Sequence, residues 1–135
     1  MEKYIGPERQ SRQYPARSLV DAKGVIAGGS DWDVSGFNPF EAMATAMSRK
    51  HPDHPERPPL AANEALTLDE MLAAYTINAA RLIGRDDEVG TLAVGKAGDV
   101  VVLGSKLTPD TNADEIRTTK PAQVFFGGEE LAIAK

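Results

Sequence analysis

The spacing of apolar residues predicts an amphipathic helix in the middle of the chain. Apolar side chains recur every three or four residues after Thr67-Leu68-Asp69-Glu70, a capping-box sequence with acids in its first turn. Gly84 follows the periodic stretch, in the position where glycine ends many helices. We therefore expect one helix from about Thr67 to Gly84, with these apolar positions: Leu68, Met71, Leu72, Tyr75, Ala79, Leu82 and Ile83.

Two further helices are predicted in the first 50 residues. Residues 17–23 resemble a short helix that ends at Gly24, because glycine can adopt positive φ. Asn38-Pro39 supplies a cap followed by a proline suited to the first helical position, and Glu41 lies where a capping-box acid reaches back. We expect this helix to continue through Met47.

Short runs of β-prone residues predict strands. Val25-Ile26-Ala27 is an apolar run typical of a strand buried on both faces. Glycines separate later runs such as Val100–Leu103. Residues 122–126 and 129–133, joined by Gly127-Gly128, indicate a β-hairpin, because paired glycines suit a tight primed turn.

Composition narrows the class of protein. The chain has 135 residues, of which 41% are hydrophobic, and its charged residues give a net charge of −5. A pI near 5.0 without a basic cluster argues against a nucleic-acid partner. The absence of cysteine excludes disulfides, cysteine zinc sites and a cysteine nucleophile. With no bilayer-length apolar run and no signal-peptide pattern, we expect a soluble, cytoplasmic protein without a membrane partner.

Asp31 is a candidate for binding or catalysis. A carboxylate directly after a buried strand lies at the strand's carboxyl end, where α/β barrels bind ligands and metals. Gly28 and Gly29 would let a ligand approach the backbone closely. The alternative is a Ser-Asp turn whose side chains cap local amides. Trp32 either packs under this turn or lines a pocket.

His51 and His54 are a second candidate, for metal binding. They lie in a linker with four prolines in nine residues, 51–59. A spacing of three places two histidines on one face only in a helix, which Pro52 and Pro55 disfavour, so we expect a solvated loop. The alternative, metal storage by this pair, predicts stoichiometric zinc binding that is lost on His54→Ala.

Four segments, in order, carry a family resemblance. Residues 14–22 leading into Gly28-Gly29-Ser30-Asp31-Trp32-Asp33-Val34 are similar to the last barrel strand of metal-dependent amidohydrolases, in the branch that includes N-substituted formamide deformylase. Residues 66–80 resemble the family's next helix, and residues 89–103 resemble its return into a small β-sandwich. Phe126-Gly127-Gly128-Glu129 resembles its closing hairpin.

The resemblance implies an α/β fold. Residues 1–88 would be the last strand and helices of a (β/α)8 barrel, and residues 89–135 would be strands of a composite β-sandwich. It assigns to Asp31 the roles of metal ligand and of proton acceptor from the attacking water, and it places Trp32 and Asn38 near the substrate rim. It further implies a divalent metal, zinc, and a small-molecule substrate with an amide-type C–N bond.

The other metal ligands implied by the resemblance are missing from this sequence. Family members add a His-x-His pair, an acid or modified lysine, and two more histidines, whereas a catalytic zinc needs about three protein ligands. We therefore expect a C-terminal fragment that binds no metal in a complete site on its own.

Two hypotheses follow for such a fragment. The chain is part of a C–N hydrolase, or it is a catalytically silent folded fragment or oligomerisation module. A barrel strand without neighbours exposes unpaired edges, which predicts self-association, pairing with the missing barrel portion, or rearranged strands.

Overall fold

The computed structural model describes residues 2–132, which form six α-helices, a short 3-10 helix and one three-stranded sheet. No helix in that range is both long enough and apolar enough to cross a membrane. The helices are α1 (Glu2–Gln10), α2 (Ala16–Asp21), α3 (Pro39–Ser48), α4 (Leu68–Tyr75), α5 (Ile77–Leu82) and α6 (Ala113–Thr118). The 3-10 helix is Ala62–Glu64, and the strands are β1 (Val100–Leu103), β2 (Pro121–Phe126) and β3 (Glu129–Leu131).

The hydrophobic core lies between α3, α4 and α6. Ile116 of α6 is fully buried at its centre. Helix α6 was not predicted, although the sequence contains its signal: Asn112 and Glu115 form a capping box. Six buried residues form this core: Met43, Ala44, Leu66, Leu68, Met71 and Ile116. The expected division after residue 88 stays a prediction, and α6 brings the later part of the chain into the core of the earlier part.

Helices α2 and α3 confirm two predicted elements, with changes at their ends. The Asn38 side chain accepts a hydrogen bond from the Phe40 N–H at 3.0 Å, as expected of a cap, but the reach-back by Glu41 is not formed. After α2, the left-handed residue is Lys23 (φ 66°) and not Gly24. Glycine is needed at 24 for another reason: a Cβ there would lie 2.9 Å from the Leu19 carbonyl oxygen.

The predicted central helix is divided in two. Its capping box at Thr67 and Glu70 is confirmed. At Thr76, however, the backbone leaves the helical region (φ −124°, ψ −98°) and separates α4 from α5. The Ala74 carbonyl, released from the helix, accepts a hydrogen bond from the Gly28 N–H at 2.9 Å. The single helix was therefore a wrong prediction, because a tertiary partner competes for its backbone.

The predicted strand Val25-Ile26-Ala27 is also not formed. These residues are not part of any strand in the described chain, and the three strands that do form pair antiparallel. Instead, the segment lies along the α4–α5 break, where the Asn78 side-chain amide donates to the Ile26 carbonyl at 3.0 Å. Hydrogen bonds to helix residues replace strand pairing, so the described residues contain no parallel barrel strand.

The three-stranded sheet confirms the predicted strand Val100–Leu103 and the hairpin. The strand order is β1-β2-β3, and Gly127 (φ 60°) and Gly128 (φ 85°) form the turn. Asp99 fixes this turn to β1, because its carboxylate accepts a hydrogen bond from the Gly127 N–H at 2.8 Å. Ile133, the predicted end of the hairpin, lies outside the described residues.

Candidate functional site

Asp31 lies in an exposed turn held by three local hydrogen bonds that do not use its carboxylate. The Trp32 N–H donates to Ser30 Oγ at 3.3 Å, and the Val34 N–H donates to the Asp31 carbonyl at 2.8 Å. The Ser35 hydroxyl donates to the Ser30 carbonyl. Ser30 thus makes the side-chain cap that the turn hypothesis predicted, while the Asp31 side chain is exposed and its residue adopts positive φ (49°). The carboxylate is accessible to a ligand.

Tyr75 supports this turn. A Cβ at Gly28 would lie 2.5 Å from the Tyr75 ring, so the close approach of ring and backbone requires glycine there. The Tyr75 hydroxyl donates to the Gly29 carbonyl at 3.5 Å, and burial raises the pKa of the Tyr75 phenol. Tyr75 therefore covers the backbone that leads to Asp31.

Sequence reasoning missed the contribution of Asn78. Its side chain holds Ile26, five residues before Asp31, against α5. Asparagine is a poor helix former inside an apolar helical pattern, and this mismatch was the available signal.

Trp32 and Phe37 form an exposed aromatic pair beyond Asp31. Their rings pack edge to face with centroids 5.4 Å apart, and both side chains remain mostly exposed. The Asn38 side-chain oxygen is used in capping α3. The rim roles expected of Trp32 and Asn38 stay predictions.

A polar network that the sequence did not predict joins α2 to the start of α4. Buried Glu64 accepts hydrogen bonds from the Ser18 hydroxyl at 2.5 Å and the Ser18 N–H at 2.8 Å, and these bonds lower the pKa of Glu64. Arg17 donates to Glu70, which lowers the pKa of Glu70 and raises that of Arg17. The network fixes α2, the element directly before the segment that leads to Asp31.

His51 and His54 lie in a loop, as predicted. Their ring centroids are 4.9 Å apart, and His51 Nδ1 accepts a hydrogen bond from the Asp53 N–H at 3.2 Å. His54 Nδ1 lies 3.3 Å from a Glu56 carboxylate oxygen. The loop thus brings the two rings together without a helix.

The donor set does not fit a complete metal site. Among residues 2–132, no three His, Asp or Glu side chains converge so that they could hold a metal ion. Asp31 supplies one exposed carboxylate, whereas about three protein ligands are needed for a catalytic zinc.

Comparison with known proteins decides the family. A model of the Amidohydrolase family matches residues 1–132, which is nearly the whole chain. The chain belongs to this family. The resemblance seen in the sequence is thereby confirmed.

Several individual relatives agree with this membership. N-substituted formamide deformylase from Arthrobacter pascens is 33% identical over 85% of this chain and 20% of its own length. Protein LONG AFTER FAR-RED 3 from Arabidopsis thaliana is 32% identical over 96% of this chain and 22% of its own. Imidazolonepropionase from Porphyromonas gingivalis is 37% identical over 66% of this chain and 18% of its own length. The chain therefore spans about a fifth of the length of these relatives.

A solved amidohydrolase from Thermotoga maritima MSB8 is similar at a TM-score of 0.45. The two are 20% identical, over 94% of this chain and 35% of that chain.

Proposed function

We propose that this chain forms the C-terminal part of a metal-dependent hydrolase of non-peptide C–N bonds, with Asp31 as a ligand and proton acceptor. The observation that carries the proposal is the exposed Asp31 carboxylate, in a turn where Ser30 Oγ accepts from the Trp32 N–H, within a chain that belongs to the Amidohydrolase family. The metal in this proposal is zinc. Its other ligands would come from polypeptide outside these 135 residues.

The residues of this chain would position the proton acceptor. Tyr75 packs against Gly28, and Asn78 holds the Ile26 carbonyl, so that the segment before Asp31 is anchored at two points. An ionised carboxylate within hydrogen-bonding reach of the attacking water accepts its proton, which typically contributes 10²–10⁴-fold to a rate. The substrate class is a small molecule with an amide-type bond, such as an N-substituted formamide.

The second candidate is a catalytically silent folded fragment or oligomerisation module. The specific observation that favours it is the lack of converging metal ligands among residues 2–132. This candidate predicts that Asp31 has no effect on any hydrolytic activity.

A chimaera separates the two candidates. Residues 1–132 would replace the segment of the Arthrobacter pascens enzyme that this chain matches, and deformylation of an N-substituted formamide would be measured with zinc present. We expect turnover that falls at least about 100-fold in Asp31→Asn, because the proton acceptor is lost. The matched control is Asp33→Asn, a neighbouring exposed carboxylate, which should stay within about threefold of the parent on the usual scale of neutral surface changes. Equal activity of the parent chimaera and Asp31→Asn would contradict the assigned role.

A further inference from the structure

Two peptide planes meet at the Asp31 Cα, and hydrogen bonds hold both of them. The plane before Asp31 contains the Ser30 carbonyl, which accepts a hydrogen bond from the Ser35 hydroxyl. The plane after Asp31 contains its own carbonyl, which accepts from the Val34 N–H at 2.8 Å. The same plane contains the Trp32 N–H, which donates to Ser30 Oγ at 3.3 Å. Because each peptide unit is planar, the orientations of these two planes set φ and ψ of Asp31.

The backbone of Asp31 needs this support. Its φ of 49° lies in the left-handed region, which residues other than glycine seldom adopt. A residue in that region persists only where the surrounding structure holds it there. None of the three hydrogen bonds uses the Asp31 carboxylate, so they fix the backbone of the residue and leave its side chain accessible.

The two serine side chains act on different planes. Ser30 Oγ holds the plane after Asp31, which the Val34 N–H holds as well, so loss of the Ser30 hydroxyl leaves one hydrogen bond there. The Ser35 hydroxyl holds the plane before Asp31. Loss of this hydroxyl removes the hydrogen bond to the Ser30 carbonyl and releases rotation about φ of Asp31. Ser35 is therefore the side chain on which the left-handed conformation depends most.

We propose that Ser35 is a positioning residue, whose hydroxyl holds φ of Asp31 and so directs the carboxylate towards the attacking water. This inference rests on the proposed function of Asp31. The Asp31 Cβ is bonded to the Cα at which φ rotates, so a change in φ displaces the carboxylate. Tyr75 and Asn78 anchor the chain before Asp31, and Ser35 anchors it from the other side. A displacement of about 1 Å can lower a rate by about 100-fold.

Kinetics of the chimaera with the Arthrobacter pascens enzyme test this role. Ser35→Ala should lower kcat by about 10–100-fold and leave KM within about threefold, because Ser35 acts through Asp31. Ser35→Thr keeps a hydroxyl and should restore most of the loss. In an Asp31→Asn background, Ser35→Ala should have no further effect, since the carboxylate it orients is gone. The matched control is Ser11→Ala, which removes another exposed hydroxyl, bonded to the Glu8 carbonyl at 2.8 Å, and should leave kcat unchanged.

Trp32, the one tryptophan of the chain, provides a second measurement that needs no activity. Its N–H lies in the plane after Asp31, so its motion reports the order of the turn. In time-resolved fluorescence anisotropy of the 135-residue chain, the amplitude of the sub-nanosecond component should rise at least about twofold in Ser35→Ala and stay unchanged in Ser11→Ala. Circular dichroism should be the same for all variants, because Ser35 is exposed and outside the core.

The outcomes separate this inference from the proposed function. An unchanged kcat in Ser35→Ala, with Asp31→Asn inactive, overturns the positioning role while the function of Asp31 stands. An equal loss in the Asp31→Asn background overturns it too, because Ser35 would then act independently of the carboxylate. Unchanged anisotropy in Ser35→Ala has the same consequence. If Asp31→Asn is as active as the parent chimaera, the proposed function itself fails, and the positioning role fails with it.

Discussion

Gly90 adopts a φ of +90° where the chain passes the α4–α5 break. A Cβ there would lie 2.7 Å from the Ala80 Cβ and 3.0 Å from the Ile77 Cα. Gly90→Ala should therefore lower the free energy of unfolding by about 1–3 kcal/mol through overpacking, besides the cost of positive φ. Gly95→Ala is the control that separates the steric cost from the cost of positive φ. Gly95 has nearly the same φ (92°), but a Cβ there would meet no atom within 4 Å. Urea denaturation would compare the two alanine variants; equal losses would contradict the close packing at Gly90.

Glu64 makes stability depend on pH. The hydrogen bonds from Ser18 lower its pKa below the ordinary value of 4.5, so its ionised form is favoured in the folded state. The resulting stability is fully present above about pH 4.5 and is lost as the pH falls through the lower, folded-state pKa. The melting temperature of the wild type should exceed that of Glu64→Gln at about pH 7, and the difference should become smaller as the pH falls towards about 3. Glu129→Gln, at an exposed hairpin residue, is the control; a constant difference for Glu64→Gln would contradict the assignment.

At the scale of elements, the start of α4 depends on its capping box. The Glu70 N–H donates to Thr67 Oγ1, and the Glu70 carboxylate accepts from the Thr67 N–H at 2.8 Å. Thr67→Ala should reduce the free energy of unfolding by about 1 kcal/mol. Thr45→Ala is the control, since the Thr45 hydroxyl bonds only to the Glu41 carbonyl within α3. Chemical denaturation measures both, and similar losses would indicate that the cap contributes nothing specific.

Local sequence signals predicted the elements whose hydrogen bonds are local. The caps at Asn38 and Thr67 and the Gly127-Gly128 turn each involve residues within a few positions, and all three are confirmed. The division of the central helix was not predictable in this way. It depends on Gly28, 46 residues before its partner Ala74, and no short window of sequence contains that contact.

The same distinction applies to the candidate site. Asp31 stands out in the sequence because it follows an apolar run and two glycines. The residues that fix its surroundings lie elsewhere in the chain: Asn78 is 52 residues from Ile26, and Glu64 is 46 residues from Ser18. Packing in the folded chain brings these residues to their partners, and their spacing along the sequence does not predict it. The predicted strand at 25–27 was wrong for the same reason.

At the scale of the whole molecule, Ile116 joins the later part of the chain to the helical core. It is fully buried, and Ile116→Ala should lower the free energy of unfolding by about 2–5 kcal/mol through lost burial and a residual cavity. Leu92→Ala removes a comparable side chain at an exposed position and should cost less than about 0.5 kcal/mol. Thermal unfolding of both variants tests this. An Ile116 variant as stable as the wild type would show that α6 is not part of the core.

The described residues, 2–132, contain an accessible carboxylate at Asp31 but no cluster of three metal-ligating side chains. The resemblance implies, and we propose, a catalytic role for Asp31, while no three metal-ligating side chains converge among the described residues. We propose that the remaining ligands come from polypeptide outside these 135 residues.

Calorimetric titration of the 135-residue chain with zinc is the most direct test of the claim that this chain alone does not hold a complete metal site. A single carboxylate holds zinc weakly, so we expect wild type and Asp31→Asn to give the same titration. Any weak zinc binding at His51 and His54 should be common to both. One equivalent of zinc bound with a Kd below about 1 µM, and lost in Asp31→Asn, would contradict it, because the chain would then contain a complete site of its own.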